Sequence, residues 1–440
     1  MRLGLGLGLA RLRGSSIDPA AAAYFAATGL TGATEKAAVN TLVRSLKSAG
    51  LWSKMKAVYP FVTDNRNLLS YTEDFGNAYW QKGNTTITTN TTTAPNGTNT
   101  ADKISETSAS GYHFNAISDG AMGNTNNYTL SFYAKASERT WCSVYLYDGS
   151  TLYQTFFDLA NGGIGTIGSG MTASIESAGN GWYRCRVSRN IVGAVGANGG
   201  ILTATGNGQS SYAGTAGNGI FAWGAQLELG STATTYQPIA TTQQSYISNQ
   251  FKYNLVNPVD SDAAFRGVFN GGWTFSNNGA TPNGTNGYMD TKLLGGTDLL
   301  TNNSGIGIYS GSNTTSTGGF GTGANFHMYP RYTDNNTYYR PMNASGGTSV
   351  NNLTALGMFH QYSDGTNGNA FFNGTKKGAT TVNQTMDTAN LFFGGQRPAL
   401  SNYDNKQLRF AFASLFLTDT EATALYNAVQ TFNSTLNRAI

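Results

Sequence analysis

The spacing of hydrophobic residues changes near residue 65. Before that point, apolar residues recur at spacings of three and four, which place them on one side of a helix. The clearest helix is predicted to begin between Thr31 and Thr34 and to end at Gly50. Its apolar stripe consists of Val39, Leu42, Val43 and Leu46.

Shorter helices are predicted on either side of this one. Asp18 and Pro19 stand at the positions of an N-cap and a first helical residue, and Gly29 is a natural end for that helix. A third helix, carrying Trp52, Met55 and Tyr59, is predicted before Pro60. Because three small helices form no stable core alone, we expect them to lie on a sheet.

From residue 67 to about residue 238, short segments with aromatic or branched residues are separated by Gly, Asn or Asp turns. This pattern, with no helical period between the segments, predicts an antiparallel β-sandwich. In one segment the alternation of Phe221, Trp223, Leu227 and Leu229 predicts a core strand. The strands predicted most clearly are 128–136, 141–149, 152–162, 181–188 and 220–230.

Two cysteines lie in this block, on different predicted strands. Regular alternation places Cys142 and Cys185 on the apolar faces of their strands. Since free cysteine behaves as a small buried hydrophobe, we expect two buried thiols, with a disulfide as the alternative.

The opposite faces of the same strands carry aromatic and arginine side chains. Rings stack on the apolar side of sugars and guanidinium groups donate to hydroxyls, so these faces are predicted to bind a glycan. The alternative is that they cover a subunit interface or another sheet, where the same residue types are enriched. The predicted ligand-binding residues are Trp141, Tyr145, Tyr147, Trp182, Arg184 and Arg186. The stretch "HMYPRYTDNNTYYRPMN", residues 327–343, is a second candidate surface.

Composition narrows the classes of function. Charged residues make up 11% of the 440 residues and glycine accounts for 56, a profile that favours turn-rich β structure in two or three domains. The formal charge of +4 comes without a run of five basic residues, so nucleic-acid binding is not expected. Every apolar stretch is far shorter than about 20 residues, so no membrane insertion is expected and the protein should be soluble.

The search for chemical motifs is mostly negative. No two glutamates lie close together in sequence, and Asp260 and Asp262 are interpreted as part of a turn. His113, His327 and His360 are far apart and lack the spacing of metal ligands. The sequence therefore predicts no catalytic residue, no metal and no cofactor, and we expect a protein that is not an enzyme.

The N-terminal stretch "MRLGLGLGLARLRG" has three interpretations. Its basic start and apolar stretch imitate a signal peptide, although alternating glycines make it a poor helix former. It is otherwise a flexible tail, or an arm that orders by adding to the sheet edge of a neighbouring protein.

Two blocks of the sequence resemble known folds. Residues 67–238, with "NLLSYTEDFGNAYWQKGN", "YTLSFYAKA", "GWYRCRVS" and "FAWGAQLELGSTATTYQPI", resemble the carbohydrate-binding-module jelly rolls of phage tail proteins. The C-terminal block resembles a concanavalin-like or laminin-G-like sandwich. That likeness rests on an Asn373-Gly374 hairpin turn, a strand running into Gly394-Gly395, and a closing strand followed by a helix.

The order of the blocks suggests an insertion. In phage proteins with a similar sandwich, a helical stretch like "EKAAVNTLVRSLKSAGLWSKMKAVYPFV" leads directly into text like "FKYNLVNPVDSDAAFRGVFNGG", whereas here the two are far apart. The expected fold class is mainly β, with two antiparallel β-sandwich (jelly-roll) domains, a short N-terminal helical region and a C-terminal helix. The expected domains are an arm (1–17), a helical segment packing with the C-terminal sandwich (18–62), an inserted jelly roll (67–238) and the sandwich itself (246–440).

These resemblances imply a structural and binding component on the surface of a tailed-phage particle. Such a tail fibre, head fibre or capsid decoration would display lectin-like sandwiches to host surface glycans. The resemblance also implies a homotrimer, with the N-terminal arm contacting other virion proteins. The alternative is a polysaccharide depolymerase in the same location, which would need a cleft with two carboxylates about 5 to 10 Å apart.

Overall fold

The computed structural model describes residues 16–440 except 118–121, 123–125, 193–195, 343–346 and 396–401. The predicted arm, 1–17, therefore lies almost wholly outside the described residues. The chain divides into two compact units, one ending at Asp64 and resuming with Ile247–Ile440, the other formed by Asn65–Tyr246. We call them the split unit and the inserted unit.

The split unit begins with two helices, α1 (Pro19–Thr28) and α2 (Ala33–Ser48). The carboxylate of Asp18 accepts a hydrogen bond from Ala20 N at 2.9 Å and caps α1, and Gly29 ends that helix with a left-handed φ of 70°. Both helices were predicted, and both are confirmed.

The prediction of a third helix before Pro60 is wrong. A short 3₁₀ turn at Trp52–Lys54 leads into strand β1 (Met55–Tyr59). This strand pairs antiparallel with a strand near the C-terminus, so that Val58 lies opposite Phe412. The helical spacing of its apolar residues is overridden because the sheet satisfies the backbone groups and buries the side chains on both faces.

The inserted unit is formed by strands in chain order from residue 80. They are β2 (Trp80–Gly83), β3 (Thr85–Thr92), β4 (Ala101–Glu106), β5 (Ser110–Tyr112), β6 (Phe114–Ile117), β7 (Asn126–Ala136), β8 (Trp141–Tyr147), β9 (Leu152–Asp158), β10 (Gly163–Ile164), β11 (Thr172–Gly179), β12 (Trp182–Ile191), β13 (Asn198–Ala204), β14 (Ser211–Ala213) and β15 (Gly219–Leu229).

Two antiparallel sheets of six strands make up most of this unit. One has the order β10-β9-β8-β13-β6-β2 and is called here the β8 sheet; the other, β11-β12-β7-β15-β4-β3, is the β12 sheet. Their inner faces share one apolar cluster that includes Cys142, Val144, Cys185 and Val187. Both cysteines are free and buried, which confirms the expected thiols, and burial raises the pKa of Cys185 well above its usual value.

The remaining elements begin at Gln243, and the chain re-enters the split unit within the first of them, at Ile247. They are α3 (Gln243–Phe251), β16 (Val268–Asn270), β17 (Trp273–Ser276), β18 (Gly279–Pro282), β19 (Tyr288–Leu294), β20 (Ser304–Ser310), β21 (Phe320–Gly321), β22 (Phe326–Tyr329), β23 (Asn336–Pro341), β24 (Thr348–Asn351), β25 (Gly357–Ser363), β26 (Asn367–Phe372), β27 (Thr375–Thr381), β28 (Asn390–Phe393), β29 (Leu408–Ser414) and α4 (Asp419–Thr435).

Two further antiparallel sheets organise the split unit. The first has the order β17-β18-β29-β20-β25-β26-β27, with β1 also paired to β29, and the second the order β16-β19-β28-β21-β22-β23-β24. Asn373 and Gly374 have φ values of 49° and 72° between β26 and β27, as the predicted type I′ hairpin turn requires. The expected mainly β, antiparallel fold with N-terminal and C-terminal helices is confirmed.

A buried arginine joins the two chain segments of the split unit. Arg438, only 3% exposed, donates to the carbonyls of Pro60 at 2.7 Å, Phe61 at 2.8 Å and Arg409 at 2.9 Å. Its Nε donates to Asn433 Oδ1 at 2.8 Å. The helices complete the core here, since residues of α2, β29 and α4 share one apolar cluster. Within the described residues, no helix is long and apolar enough to cross a bilayer.

In each unit, a hydrogen bond joins the two chain segments that lead to the other unit. The inserted unit is therefore predicted to be dispensable for folding of the split unit. In the split unit Thr63 Oγ1 donates to Gln250 Oε1, and in the inserted unit Asn67 Nδ2 donates to Gln237 O at 2.9 Å. Replacing residues 65–246 by a short Gly/Ser linker should leave a remainder that unfolds in one cooperative calorimetric transition. An aggregated product, or a broad non-cooperative transition, would contradict the prediction.

The buried imidazole of His360 predicts acid sensitivity of the split unit. Burial lowers its pKa from 6.5 to about 3, so the unfolded chain binds a proton below pH 6.5 that the folded chain does not bind until about pH 3. This contribution to stability is present above pH 6.5 and is lost as the pH falls, by about 3 kcal/mol at pH 4.5, since each pH unit below 6.5 is worth about 1.4 kcal/mol. In His360→Phe, whose ring would stack on Phe371 as the imidazole does, the loss of unfolding free energy between pH 7 and pH 4.5 should shrink by about that amount. Equal pH dependence of wild type and variant by calorimetry would refute it.

Candidate functional site

The six predicted ligand-binding residues do not share one surface. Trp141, Tyr145 and Tyr147 lie on β8, whereas Trp182, Arg184 and Arg186 lie on β12. Because Cys142 and Cys185 point inward from these strands and contact each other, the outer faces of the two sheets look in opposite directions. The six residues therefore belong to two separate surfaces, one on each sheet.

The outer face of the β8 sheet is mostly covered. Tyr145 is 6% exposed and packs with Ala116 and Leu202. A side chain at Gly165 would collide with Asn207 and with the indole of Trp141, so two loops close over that ring. Tyr147 remains partly exposed beside this cluster. The face resembles a small outer core more than an open platform.

The outer face of the β12 sheet is covered by a crossing segment, residues 231–236, which we call the strap. Arg184, 4% exposed, donates to the carbonyl of Thr234 at 2.7 Å and to Ser131 Oγ at 3.1 Å. The same Thr234 donates its backbone N–H to Glu228 Oε2 at 3.0 Å. Two charged side chains thus hold the strap on the sheet.

Trp182 belongs to an aromatic group at one end of the strap. Its indole Nε1 donates to Thr93 O at 3.0 Å, and the ring is 1% exposed. Trp223 packs beside it, with Tyr133 and Tyr236 at ring distances of 5.3 and 4.8 Å from Trp223. Trp182 therefore stabilises the face, and the tyrosines stand closer to solvent.

A groove of 450 Å³ opens between the strap and the edge of the sheet. This volume is in the range of small-molecule pockets. Its chemistry comes from two tyrosine rings, two guanidinium groups, a carboxylate and a threonine: Tyr133, Tyr236, Arg184, Arg186, Glu176 and Thr234.

Register explains how these side chains meet. Glu176 on β11, Arg184 on β12 and Tyr133 on β7 are directly opposite one another across three strands. The guanidinium of Arg184 lies 5.5 Å from the centre of the Tyr133 ring. Glu176 forms its ion pair diagonally, with Arg186, and the carboxylate is 63% exposed. One ring, two guanidinium groups and a carboxylate therefore lie close together across these three strands.

A second groove, of 360 Å³, lies along the first half of the strap, residues 231–233. It shares Arg186 and Ala233 with the first groove. Hydroxyl side chains dominate its lining, namely Thr129, Thr172, Ser174, Ser188, Ser231 and Thr232. From Thr172 to Ala178 the two grooves follow β11 for about 20 Å, estimated from the rise of a strand.

Charges of both signs are mixed on this face. Arg184 and Arg186 lie near Glu176 and Glu228, and burial lowers the pKa of Arg184. Glu73 adds a third carboxyl, which accepts from the hydroxyl of Tyr236 at 3.2 Å and whose pKa is raised by burial. A face on which both signs are paired in this way favours a polar but uncharged ligand over an anion or a cation. Within the described residues, no three metal-ligating side chains form a cluster.

Sequence reasoning missed part of this site. The outward position of Tyr133 is predictable from strand alternation, because its neighbour Phe132 is in the core. Glu176 sits on β11, where Ala173 and Ile175 pack against the core between exposed polar residues, a weak strand signal that was overlooked. Tyr236 lies outside every strand, and no local pattern marks it.

One predicted core strand is partly wrong. Leu227 of β15 is in the core as expected, but Trp223 belongs to the outer aromatic group and Leu229 is 59% exposed. The register of β15 shifts between Trp223 and Gln226, where Gly224 has a φ of 61°. A bulge of this kind reverses which side chains point outward.

Comparison with known proteins gives a weak structural likeness. No protein-family model and no curated protein sequence matches the chain. A solved structure of Trypanosoma rangeli sialidase in complex with sialic acid matches with a TM-score of 0.27 and 11% identity over 74% of this chain. The same sialidase with 2,3-difluorosialic acid, a covalent intermediate, gives a TM-score of 0.29. The chain spans 60% of the length of these sialidase chains. The flagellar cap protein D1-D2-D3 domains of Escherichia coli match at 0.13 and 15% identity, over 49% of this chain.

The expectation that the chain is not an enzyme is contradicted by this comparison, because the sialidases that match are enzymes. We withdraw it. TM-scores of 0.27 and 0.29 carry no argument about substrate or reaction, so the site has to be interpreted from its own residues.

The contacts of the groove predict which variants keep the fold. Glu176→Gln and Arg186→Gln break an ion pair whose carboxylate is 63% exposed, so each should change the unfolding free energy by about 0.5 kcal/mol or less. Arg184→Gln should lower the unfolding free energy by about 2 kcal/mol, because it leaves the Thr234 carbonyl and the Ser131 hydroxyl without their donor. Calorimetry of the three variants checks this, and equal losses in all three would contradict it.

Proposed function

We propose that the inserted unit binds a glycan along the two grooves of the β12 sheet. The observation that supports this most is the arrangement of the first groove, where the partly exposed rings of Tyr133 and Tyr236 lie near the guanidinium of Arg186 and the exposed carboxylate of Glu176. Rings, a charged donor and an acceptor are the set that a sugar with one apolar face and several hydroxyls requires. The pairing of both signs of charge supports an uncharged or weakly charged sugar.

The length of the grooves supports binding to the interior of a chain. A depression that follows β11 for about 20 Å, estimated from the rise of a strand, is longer than one sugar ring. The hydroxyl side chains of the second groove would then contact sugars next to the one held beside Tyr133. A polymeric surface glycan fits this arrangement better than a monosaccharide.

We further propose that the chain belongs to the surface of a bacteriophage particle, as a tail fibre, head fibre or capsid decoration. The resemblance of residues 67–238 to jelly rolls of phage tail proteins supports this location. The same resemblance supports a homotrimer anchored to other virion proteins by residues 1–17. Host surface polysaccharide is then the expected ligand.

The direct test measures retention on host surface polysaccharide and release of reducing ends in the same incubation. The wild-type chain should be retained, with affinity rising with oligosaccharide length and changing little between 50 and 500 mM NaCl, because an uncharged ligand is not screened. Arg186→Gln should weaken binding at least tenfold. Release of reducing ends would show that the glycan is also cleaved.

The matched control is Arg189→Gln on the same strand. Arg189 stacks on Tyr153 and donates to Ser169 O, outside both grooves, so its loss should alter affinity by less than twofold. The proposal fails if the wild type shows no retention, or if the two variants weaken binding equally.

A further inference from the structure

The second candidate surface of the sequence, residues 327–343, lies in the split unit and is described by the structure up to Met342. Strands β22 and β23 pair so that His327 lies opposite Arg340 and Tyr329 opposite Tyr338. The alternate residues Met328 and Tyr339 are in the core, so these four side chains belong to the outer face. Tyr332 completes the group, 5.5 Å from Tyr329 and 5.7 Å from Tyr338 between ring centres.

The three tyrosines form a partly exposed aromatic wall. Neighbouring rings meet edge to face, with interplanar angles of 67°, 84° and 89°. The hydroxyl of Tyr338 donates to Asp334 Oδ2 at 2.6 Å, which fixes that ring. A wall held in this way offers apolar area at little cost in side-chain entropy.

Arg340 lies on the same outer face as this wall, and its side chain has no partner among the residues that the structure describes. Its Nε is buried and makes no hydrogen bond, and no ion pair or side-chain hydrogen bond of Arg340 is present within the described residues. The acid nearest to Arg340 along the chain is Asp334, just before β23. The first residue of β23, Asn336, is already about 13 Å from Arg340 along the strand. A half-buried guanidinium without a counterion is costly, and a bound carboxylate would offset that cost.

His327 adds an acceptor next to the guanidinium. The imidazole is 5% exposed, and burial and then the charge of Arg340 lower its pKa to about 3, so it is neutral. Hydrogen bonds to the backbone of Gly323 and Ala324 occupy one ring nitrogen, whereas Nδ1 is buried and unpartnered. A neutral ring that donates through Nε2 leaves Nδ1 as an acceptor, suited to a hydroxyl group.

We propose that this outer face is a second ligand site, separate from the grooves of the inserted unit, and that it takes a carboxylate-bearing sugar. Arg340 pairs with the carboxylate through its planar fork, the tyrosine wall contacts the apolar side of the ring, and His327 Nδ1 favours a neighbouring hydroxyl. The unpaired charge distinguishes this site from the grooves, where charges of both signs are paired.

The test uses the full chain with polygalacturonate, alginate and polysialic acid, each compared with its carboxyl-reduced form, in affinity electrophoresis. The wild type should bind at least one acidic polymer, and carboxyl reduction or 500 mM NaCl should weaken that binding at least tenfold. Arg340→Gln should also weaken binding of the acidic polymer at least tenfold. Arg340→Lys, which keeps the charge but loses the planar fork, should have an affinity between those of the wild type and Arg340→Gln.

Arg331→Gln is the matched control. It removes the same charge from the hairpin, but Arg331 bonds to Asn313 and Asn335 rather than facing an open site, so affinity should change by less than twofold. No retention on any of the three polymers, binding that survives carboxyl reduction, or equal losses in Arg340→Gln and Arg331→Gln would overturn the proposal. Arg186→Gln should leave acidic-polymer binding unchanged, so failure here is distinct from failure of the groove.

Discussion

Strand β1 and Arg438 together impose the constraint on which the split unit depends. β1 adds to β29 and contributes to a core shared with α2 and α4. The Arg438 guanidinium holds the carbonyls of Pro60 and Phe61, which precede it by 378 and 377 residues. These contacts can form only when the chain segments on either side of the inserted unit have met. A buried guanidinium that satisfies several backbone carbonyls is also difficult to replace, since its loss leaves all of them unsatisfied.

In the inserted unit, aromatic residues on the outer faces serve two different purposes. On the β8 sheet, and around Trp182 and Trp223, rings fill small outer clusters beneath loops. Beside the strap, Tyr133 and Tyr236 remain partly exposed, next to charged groups whose own hydrogen bonds hold the strap in place. The residues that build the groove and those that could contact a ligand are thus largely different, which allows the ligand contacts to be changed without loss of the fold.

Local pattern predicted much of the fold, and tertiary contacts explain where it failed. Helix caps at Asp18 and Gly29 and the Asn373-Gly374 turn depend on neighbouring residues alone, so they could be read from the sequence. β1 was mistaken for a helix because its strand partner lies more than 350 residues away. The bulge at Gly224 reversed the expected side of Trp223. Alternation placed Arg184 and Arg186 on an outer face, but it could not show that this face opposes that of Trp141, or that residues 231–236 cross it.

Hydrogen exchange measured by mass spectrometry, with and without saturating host polysaccharide, is the measurement that tests the proposed binding of a glycan in the grooves most directly. Binding in the grooves predicts added protection in peptides from the strap, 231–236, and from β11 and β12, which line both grooves. Protection confined to the β8 sheet, or no change anywhere in residues 65–246 while the chain is retained on the polymer, would contradict it.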